Sequence, residues 1–501
     1  VAAFLRFYDL SEPQGLRADE AYYANDGFNA HQAENYQVYY AANNGREGLY
    51  INAIGVIQGM FGRELEVLRV PGALVGVLSV FAIYFLTIEI SKRMRLGVST
   101  ARVAGLIAAT VLATNFFHIY FSRSVYRGGI VPGFEIFALY FALRAFALDC
   151  KASGKISEYG ICVIAGIVFG LGFHTYPAFY VMMPIMTWLV IDYYVRTRNY
   201  KKPLVFIALS LVAVAPLLWF AMTQPDVFFT RHNQVAQFDP LNNIHSTLEM
   251  LFNFGSCGRQ MIYQCQSQTS YAVLLATMIG ACILLLRKNA MGIVVLIWFG
   301  LALAPLTFTD FNNGHSLRMI GIIPPLAIIT GLAVALITRN LSQRLIYSLI
   351  FVFLALLTFE ASRMYFSSFL QDKRLQTASK TDTFNIAREL KVFDKEEIFI
   401  IYPITAQQIQ ASHRMIQAFM FAAKTDFLDE QNRYQAIALA DLPKRFSECQ
   451  RDSKNCVFAY VGGEGTPSAQ ELKVIEKTLS ECVSKSGRYV IRYCSGNRNV
   501  R

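Results

Sequence analysis

"LRVPGALVGVLSVFAIYFLTIEI", residues 68–90, is the stretch that decides the fold. A helix needs about 20 apolar residues to cross the hydrocarbon core of a bilayer, and this run has the length to do so. Lys92, Arg93 and Arg95 follow it at once. An apolar run closed by a basic cluster is a membrane span that ends on the cytoplasmic side. The pattern recurs along the chain. Further apolar runs at 103–121, 129–149, 159–175, 177–195, 203–222, 271–287, 290–308, 319–338 and 344–361 predict ten spans with the first.

Composition agrees with that pattern. Of 501 residues, 54% are hydrophobic and 16% charged. A soluble domain carries about 25% charged residues. The net charge of +11 does not point to nucleic acid, because the basic residues gather in the short loops between apolar runs. No nucleic-acid partner is expected; membrane lipids are.

Alternate connections are basic: Arg102 with the cluster after the first run, Lys151 and Lys155, Arg196, Arg198, Lys201 and Lys202, Arg287 and Lys288, Arg339 and Arg344. These face the cytoplasm by the positive-inside rule. Residues 9–67, 223–270, 309–318 and everything after 361 then lie outside. The opening "VAAFLRFYDL" reads as the tail of an apolar helix, so a first span is expected to precede it, with a cleaved signal peptide as the alternative. Six of the nine cysteines, Cys257, Cys265, Cys449, Cys456, Cys482 and Cys494, fall in the outer segments. Disulfides persist in oxidising compartments. Cys257–Cys265, Cys449–Cys456 and Cys482–Cys494 are the simplest pairings, with free thiols as the other reading. The one N-x-S/T sequon, Asn340-Leu341-Ser342, lies on the cytoplasmic side.

Three regions result. Residues 1–67 hold the end of a truncated span and a large first external loop. Within that loop "INAIGVIQGMFG" (51–62) is apolar but too short to span, which suits a helix in the membrane interface. Residues 68–361 are the transmembrane bundle. Residues 362–501 alternate helical and strand patterns. "KTDTFNIARELKVF", "TAQQIQASHRMIQAFMFAA" and "SAQELKVIEKTLSECV" read as helices; "EEIFIIYPI", "NCVFAYVGG" and "RYVIRYC" read as strands. That alternation predicts a small α/β domain. The fold class is therefore a mostly α polytopic bundle with a large first external loop and a small extracytoplasmic α/β domain. Internal repeats and low-complexity segments are absent.

Ionisable residues near membrane depth are costly and mark function. Here they gather toward the outer side: Asp19 and Glu20 in "LRADEAYY" with Tyr22 beside them, Arg46 and Glu47 in "NNGREGLYIN", His118, Arg123 and Arg127 in "FFHIYFSRSVYR", His174 and Tyr176 in "GFHTYPAF", and His315 and Arg318 in "NNGHSLRMIG". Each has a plainer reading. Asp19 suits an N-cap, Arg46–Glu47 a surface ion pair, and His174 a structural histidine. His315 and Arg318 suit an ordinary loop. Arg123 and Arg127, four apart, would share a helical face and snorkel to headgroups. Together, cations suit a lipid phosphate, and a carboxylate suits a general base for a hydroxyl or amine. The set points to group transfer from a lipid-linked phosphate donor. No P-loop or dinucleotide fingerprint is present.

With "NNGREGLYINAIGVIQGMFG", "LRVPGALVGVLSV", "HIYFSRSVYRGGIVPGFEIFALYFA", "GLGFHTYPAFYVMMP" and "GHSLRMIGIIPPLAIITGLAVAL" in this order, the chain resembles the GT-C membrane glycosyltransferases over about residues 9–340. It is most similar in style to the dolichyl-phosphate-mannose–protein mannosyltransferases and the lipid A aminoarabinose transferases. The resemblance implies inverting transfer of a sugar from a polyprenyl-phosphate donor to a protein, lipid or glycan acceptor on the extracytoplasmic side. It implies the cytoplasmic membrane, or the endoplasmic reticulum in a eukaryote. The family's carboxylate in the first external loop falls on Asp19, with Glu20 beside it. Gly45-Arg46-Glu47-Gly48-Leu49 stands where relatives carry His-Pro-Pro or Lys-Pro-Pro. Some relatives bind a divalent metal near this point, for which Glu47 would be the ligand; no other cofactor is implied.

The expected mechanism is a single displacement. Asp19 takes the acceptor's proton, and Arg46, Arg123, Arg127, His315 and Arg318 hold the leaving lipid phosphate. Glu20, Glu47, Tyr22, His174 and Tyr176 position substrate. Transfer of an oligosaccharide from a lipid pyrophosphate is the alternative within the enzyme class. A lipid-linked sugar transporter without chemistry, or an inactive binding protein, is the alternative outside it.

Overall fold

The computed structural model describes residues 1–41, 45–147, 158–235, 241, 243, 269–307, 315–371, 385–386, 389–390, 393, 396–402, 434–452, 454–460, 468–484 and 490–495. The chain is mostly helical and divides into two compact units. The first comprises Val1–Leu10, Ala30–Val56 and Arg69–Phe369; the second comprises Ser11–Asn29, Ile57–Leu68 and Leu370–Arg501.

Apolar helices occupy all ten stretches read as spans, but they are not equal. Among the described residues six are long and apolar enough to cross a membrane: Leu65–Arg93, Arg127–Ala145, Pro177–Thr197, Lys201–Thr223, Leu317–Thr338 and Gln343–Phe369. Val98–Thr114 and Phe116–Ser122 form a seventh if counted as one span bent by 60°. Tyr159–Gly172, Tyr271–Arg287 and Ala290–Pro305 are shorter apolar helices. Among the described residues, six or seven of the ten stretches thus have full spanning length, and three are shorter apolar helices. Hydropathy counts a broken or short helix as readily as a whole one.

Burial sorts the spans. Leu317–Thr338 is 89% buried and central to its unit; Lys201–Thr223 and Gln343–Phe369 are each 17% buried and offer Trp219, Met222, Phe351 and Phe359 outward. Those faces suit lipid chains. Close helix pairing comes from small residues. In "GIVFG" (166–170), a Cβ on Gly166 would fall 2.6 Å from the Phe206 carbonyl oxygen, and one on Gly170 2.5 Å from that of Ser210. Glu158–Gly172 thus packs backbone to backbone on Lys201–Thr223.

The 60° bend has a physical cause. Asn115 is extended, and its side-chain oxygen accepts the His118 N–H at 2.9 Å. The carbonyls freed at the break are taken by Arg6, whose Nη1 and Nη2 donate to Ala113 and Leu112 at 3.1 Å each. Arg6 Nη2 also reaches His118 Nδ1 at 2.7 Å. A broken span survives in lipid only where its backbone groups find such partners.

In the second unit a five-stranded sheet runs in the order β4-β3-β5-β7-β6, from β3 (Glu397–Tyr402), β4 (Tyr434–Ala438), β5 (Cys456–Tyr460), β6 (Val483–Ser484) and β7 (Ile491–Cys494). β3 pairs parallel with β4 and β5; β7 pairs antiparallel with β5 and β6. Phe399, Ile401, Phe458 and Ile475 fill its core. Cys449–Cys456 and Cys482–Cys494 are disulfides, with Cα separations of 6.5 and 4.5 Å. Cys257 and Cys265 lie outside the described residues, as do the helix read at 405–423 and most of that at 380–393.

The helix Ala469–Thr478 begins with a full capping box, in which Ser468 Oγ accepts the Glu471 N–H and Glu471 accepts the Ser468 N–H at 2.7 Å. The Ser468 hydroxyl, then its N–H, hold the Glu471 carboxyl below its ordinary value. Glu471's contribution is thus full above the usual carboxylate range and fades as pH falls through the lowered value. Ser468→Ala is expected to destabilise this domain by about 1 kcal/mol near neutrality. In thermal unfolding the gap to wild type should narrow below about pH 4.

Candidate active site

The first unit gathers its buried charge around a short hairpin. β1 (Tyr39–Tyr40) pairs antiparallel with β2 (Arg46–Glu47), Tyr39 opposite Glu47 and Tyr40 opposite Arg46. The turn needs its glycines. Gly45 has φ +88°, open to glycine but strained for other residues, and a Cβ there would strike the Tyr39 hydroxyl. Gly48 lies against the Gln37 carbonyl, and its N–H donates to Val38 at 2.8 Å.

Glu47 forms an ion pair with Arg127 Nη1, and both side chains are buried. Arg127 Nη2 donates to the Gly45 carbonyl at 3.5 Å, and its guanidinium stands over the Tyr176 ring, 5.2 Å from the centroid. Arg46 is buried too. Tyr39 donates to the Phe228 carbonyl at 3.3 Å and packs against Phe220 and Phe228. Burial pushes its phenol up, against the pull of the Arg127 and Arg46 cations. The hairpin thus brings together two cations, a carboxylate and aromatic rings. Tyr39 was absent from the sequence reading, although Asn44-Gly45 between polar-aromatic stretches is a hairpin signal.

Other residues fall differently. Arg123 and Arg127 do not share a helical face. The helix ends at Ser122, and the chain turns before a 3₁₀ segment opens at Arg127. Neither snorkels, since both are buried. Arg123 donates to the Tyr8 and Asp9 carbonyls at 2.7 and 2.6 Å and stacks over Tyr365 and Phe366. His174 bonds through Nε2 to the Ala213 carbonyl at 2.9 Å. Arg318 is buried in the 3₁₀ segment His315–Ile322, which packs on the segments opened by Arg127 and Pro177.

Asp19, Glu20 and Tyr22 lie on the helix Ala18–Gln32, in the part of it that belongs to the second unit. Glu20 accepts the Arg17 N–H at 2.8 Å, a capping contact at the start of this helix. Asp19 and Tyr22 are half-buried. Carboxylates in a first helical turn are favoured by the positive end of the helix dipole.

A divalent metal does not fit these residues. Among the described residues no three His, Cys, Asp or Glu side chains are grouped to hold one. Glu47, the expected ligand, is neutralised by Arg127.

Comparison with known proteins agrees with this architecture. Residues 50–220 match the family model of dolichyl-phosphate-mannose-protein mannosyltransferases. No curated protein matches the sequence. Among solved structures, ArnT from Cupriavidus metallidurans bound to undecaprenyl phosphate superposes with a TM-score of 0.53 at 13% identity, covering 99% of this chain and 97% of that one. Its apo form gives 0.53 at 12%, covering 98% and 96%. The oligosaccharyltransferase of Archaeoglobus fulgidus gives 0.48 at 12%, covering 84% of this chain and 62% of that one. The chain is an integral membrane protein that shares the fold of ArnT, and its residues 50–220 resemble the mannosyltransferase family.

Breaking a buried ion pair leaves one charge uncompensated and costs about 3–5 kcal/mol, whereas replacing both partners is often neutral. Glu47→Leu and Arg127→Met are each expected to lower the unfolding temperature in detergent clearly. The double variant should recover most of that loss. An additive double loss would mean that the two side chains do not act as a pair.

Proposed function

We propose that this protein transfers a sugar from a polyprenyl-phosphate donor to a protein, lipid or glycan acceptor on the outer side of its membrane, with inversion at the anomeric carbon. The observation that carries the reading is the hairpin cluster, in which Arg127 and Arg46 are buried beside Tyr39 and Tyr176. A guanidinium paired with a carboxylate can exchange that partner for a phosphate of similar geometry. The undecaprenyl phosphate bound by ArnT supports a lipid phosphate as the anion.

In this reading Arg127, Arg46 and Arg318 hold the lipid phosphate, and His315 stands on the same segment as Arg318. Arg123, bonded to the Tyr8 and Asp9 carbonyls, adds its positive charge to theirs. Asp19 is the general base. Glu20 fixes the start of its helix, and Glu47, released from Arg127 by phosphate, turns to the sugar or acceptor. Tyr22, Tyr176 and His174 shape the surroundings. The acceptor O–H or N–H bond breaks toward Asp19 as its heteroatom bonds to the anomeric carbon. The carbon–oxygen bond to phosphate breaks with its electrons left on the lipid phosphate. Cations fixed where that charge develops lower the barrier more than any other group.

The test uses purified protein in liposomes, polyprenyl-phosphate donors carrying different labelled sugars, and a cell-envelope extract as acceptor. Wild type is expected to consume one donor class. Asp19→Asn should slow it by about 10²–10⁴-fold. Full turnover by folded Asp19→Asn would remove Asp19 from this role. Consumption only of pyrophosphate-linked oligosaccharide would move the reading to oligosaccharide transfer.

A further inference from the structure

The span Arg127–Ala145 buries a carboxyl that the proposed reaction leaves without a task. Glu135 has no exposed surface, and among the described residues neither of its oxygens has a hydrogen-bond partner. Ionisable groups at such depth are rare and mark function. Its near neighbour is backbone: a Cβ on Gly321 would fall 2.7 Å from Glu135 Oε1. Gly321 belongs to the 3₁₀ segment His315–Ile322, the one that carries Arg318. Nearer the start of that segment, Leu317 fills the space beside Gly128, its Cδ1 2.6 Å from where a Cβ there would stand. Gly128 directly follows Arg127. The segment is therefore seated on the Arg127 span at two points, Leu317 on Gly128 and Gly321 on Glu135. At each point the end of a long side chain comes close to a glycine. Arg318 lies between the two contacts in sequence, and Arg127 adjoins the first.

We infer that Glu135 is a positioning residue for the phosphate-holding cations: its carboxyl seats the Gly321 backbone and so sets where the turn carrying Arg318 rests against the Arg127 segment. This rests on the assignment of Arg127 and Arg318 to lipid phosphate. Because the contact is one of shape, an isosteric amide serves as well as the acid. A larger residue at 321 or a truncated one at 135 does not.

The experiment measures binding of undecaprenyl phosphate to the purified full chain in detergent, alongside kcat and KM for the donor that wild type consumes. Gly321→Ala is expected to weaken lipid-phosphate binding about 10-fold and raise the donor KM in step, with kcat within about 3-fold. Glu135→Asp, one methylene shorter, should make room for the new methyl group. The double variant Glu135→Asp, Gly321→Ala should return to within about 3-fold of wild type. Glu135→Gln alone should bind as wild type does. Additive losses in the double variant, or a loss in Glu135→Gln as large as in Gly321→Ala, would overturn the inference while leaving the phosphate reading intact. Failure of folded wild type to bind the lipid phosphate would instead overturn the phosphate reading, and this inference with it. Should Gly321→Ala fail to fold, Glu135→Ala takes its place, since it empties the contact rather than crowding it. It should weaken binding about 10-fold with kcat little changed, and unchanged binding would overturn the inference.

Discussion

A guanidinium buried in a membrane bundle must have partners, and which partners it has decides what it can do. Removing a charge from water costs several kcal/mol unless hydrogen bonds and counter-charge replace the lost hydration. The arginines of the first unit meet this demand in two ways. Arg6 is satisfied by the carbonyls of Ala2, Leu112 and Ala113, Arg69 donates to the carbonyl of Leu10, and Arg123 to those of Tyr8 and Asp9. These carbonyl contacts tie the three side chains to the backbone of the bundle. Arg127 is instead paired with Glu47, a side chain on a two-residue strand. A carboxylate on a hairpin can be displaced by another anion without unmaking a helix.

The acid pair divides in the same way. Glu20 stands at the third helical position and accepts the N–H of the residue before the helix, which is the reciprocal half of a capping box. That contact occupies one of its oxygens and gives it a structural duty. Asp19 stands at the second position of the same first turn.

The spans were legible because the bilayer writes them in length and composition, and all ten stretches are apolar helices. What hydropathy does not carry is continuity. The break at Asn115 costs one residue and leaves the apolar run intact, while its stability depends on Arg6, more than a hundred positions away. The hairpin was less legible still. Two-residue strands have no periodicity to read, and Tyr39 earns its place only through its partner Glu47 across the turn. Arg123 and Arg127 show the opposite failure. Spacing of four means a shared face only where the helix runs on, and here it stops at Ser122. In the second unit, Tyr434–Ala438 was missed as a strand because "YQAIA" offers five residues with weak alternation, and its pairing with β3 supplies what the local pattern lacks.

Glu135 extends the argument to a residue whose type is plain in the sequence and whose significance is not. It lies in "VPGFEIFALYFALRA", where a single acid among apolar residues looks like an interruption. Its meaning depends on Gly321, nearly two hundred positions later, whose missing side chain leaves the room the carboxyl fills. Leu317 and Gly128 repeat the arrangement with the roles exchanged, a large side chain from the 3₁₀ segment against a glycine of the span. Close-packed interiors do not deform continuously, so a change of one methyl group at such a contact is transmitted rather than absorbed. Charge in this bundle is placed by backbone carbonyls, by the Glu47–Arg127 pair and by close contacts at glycines.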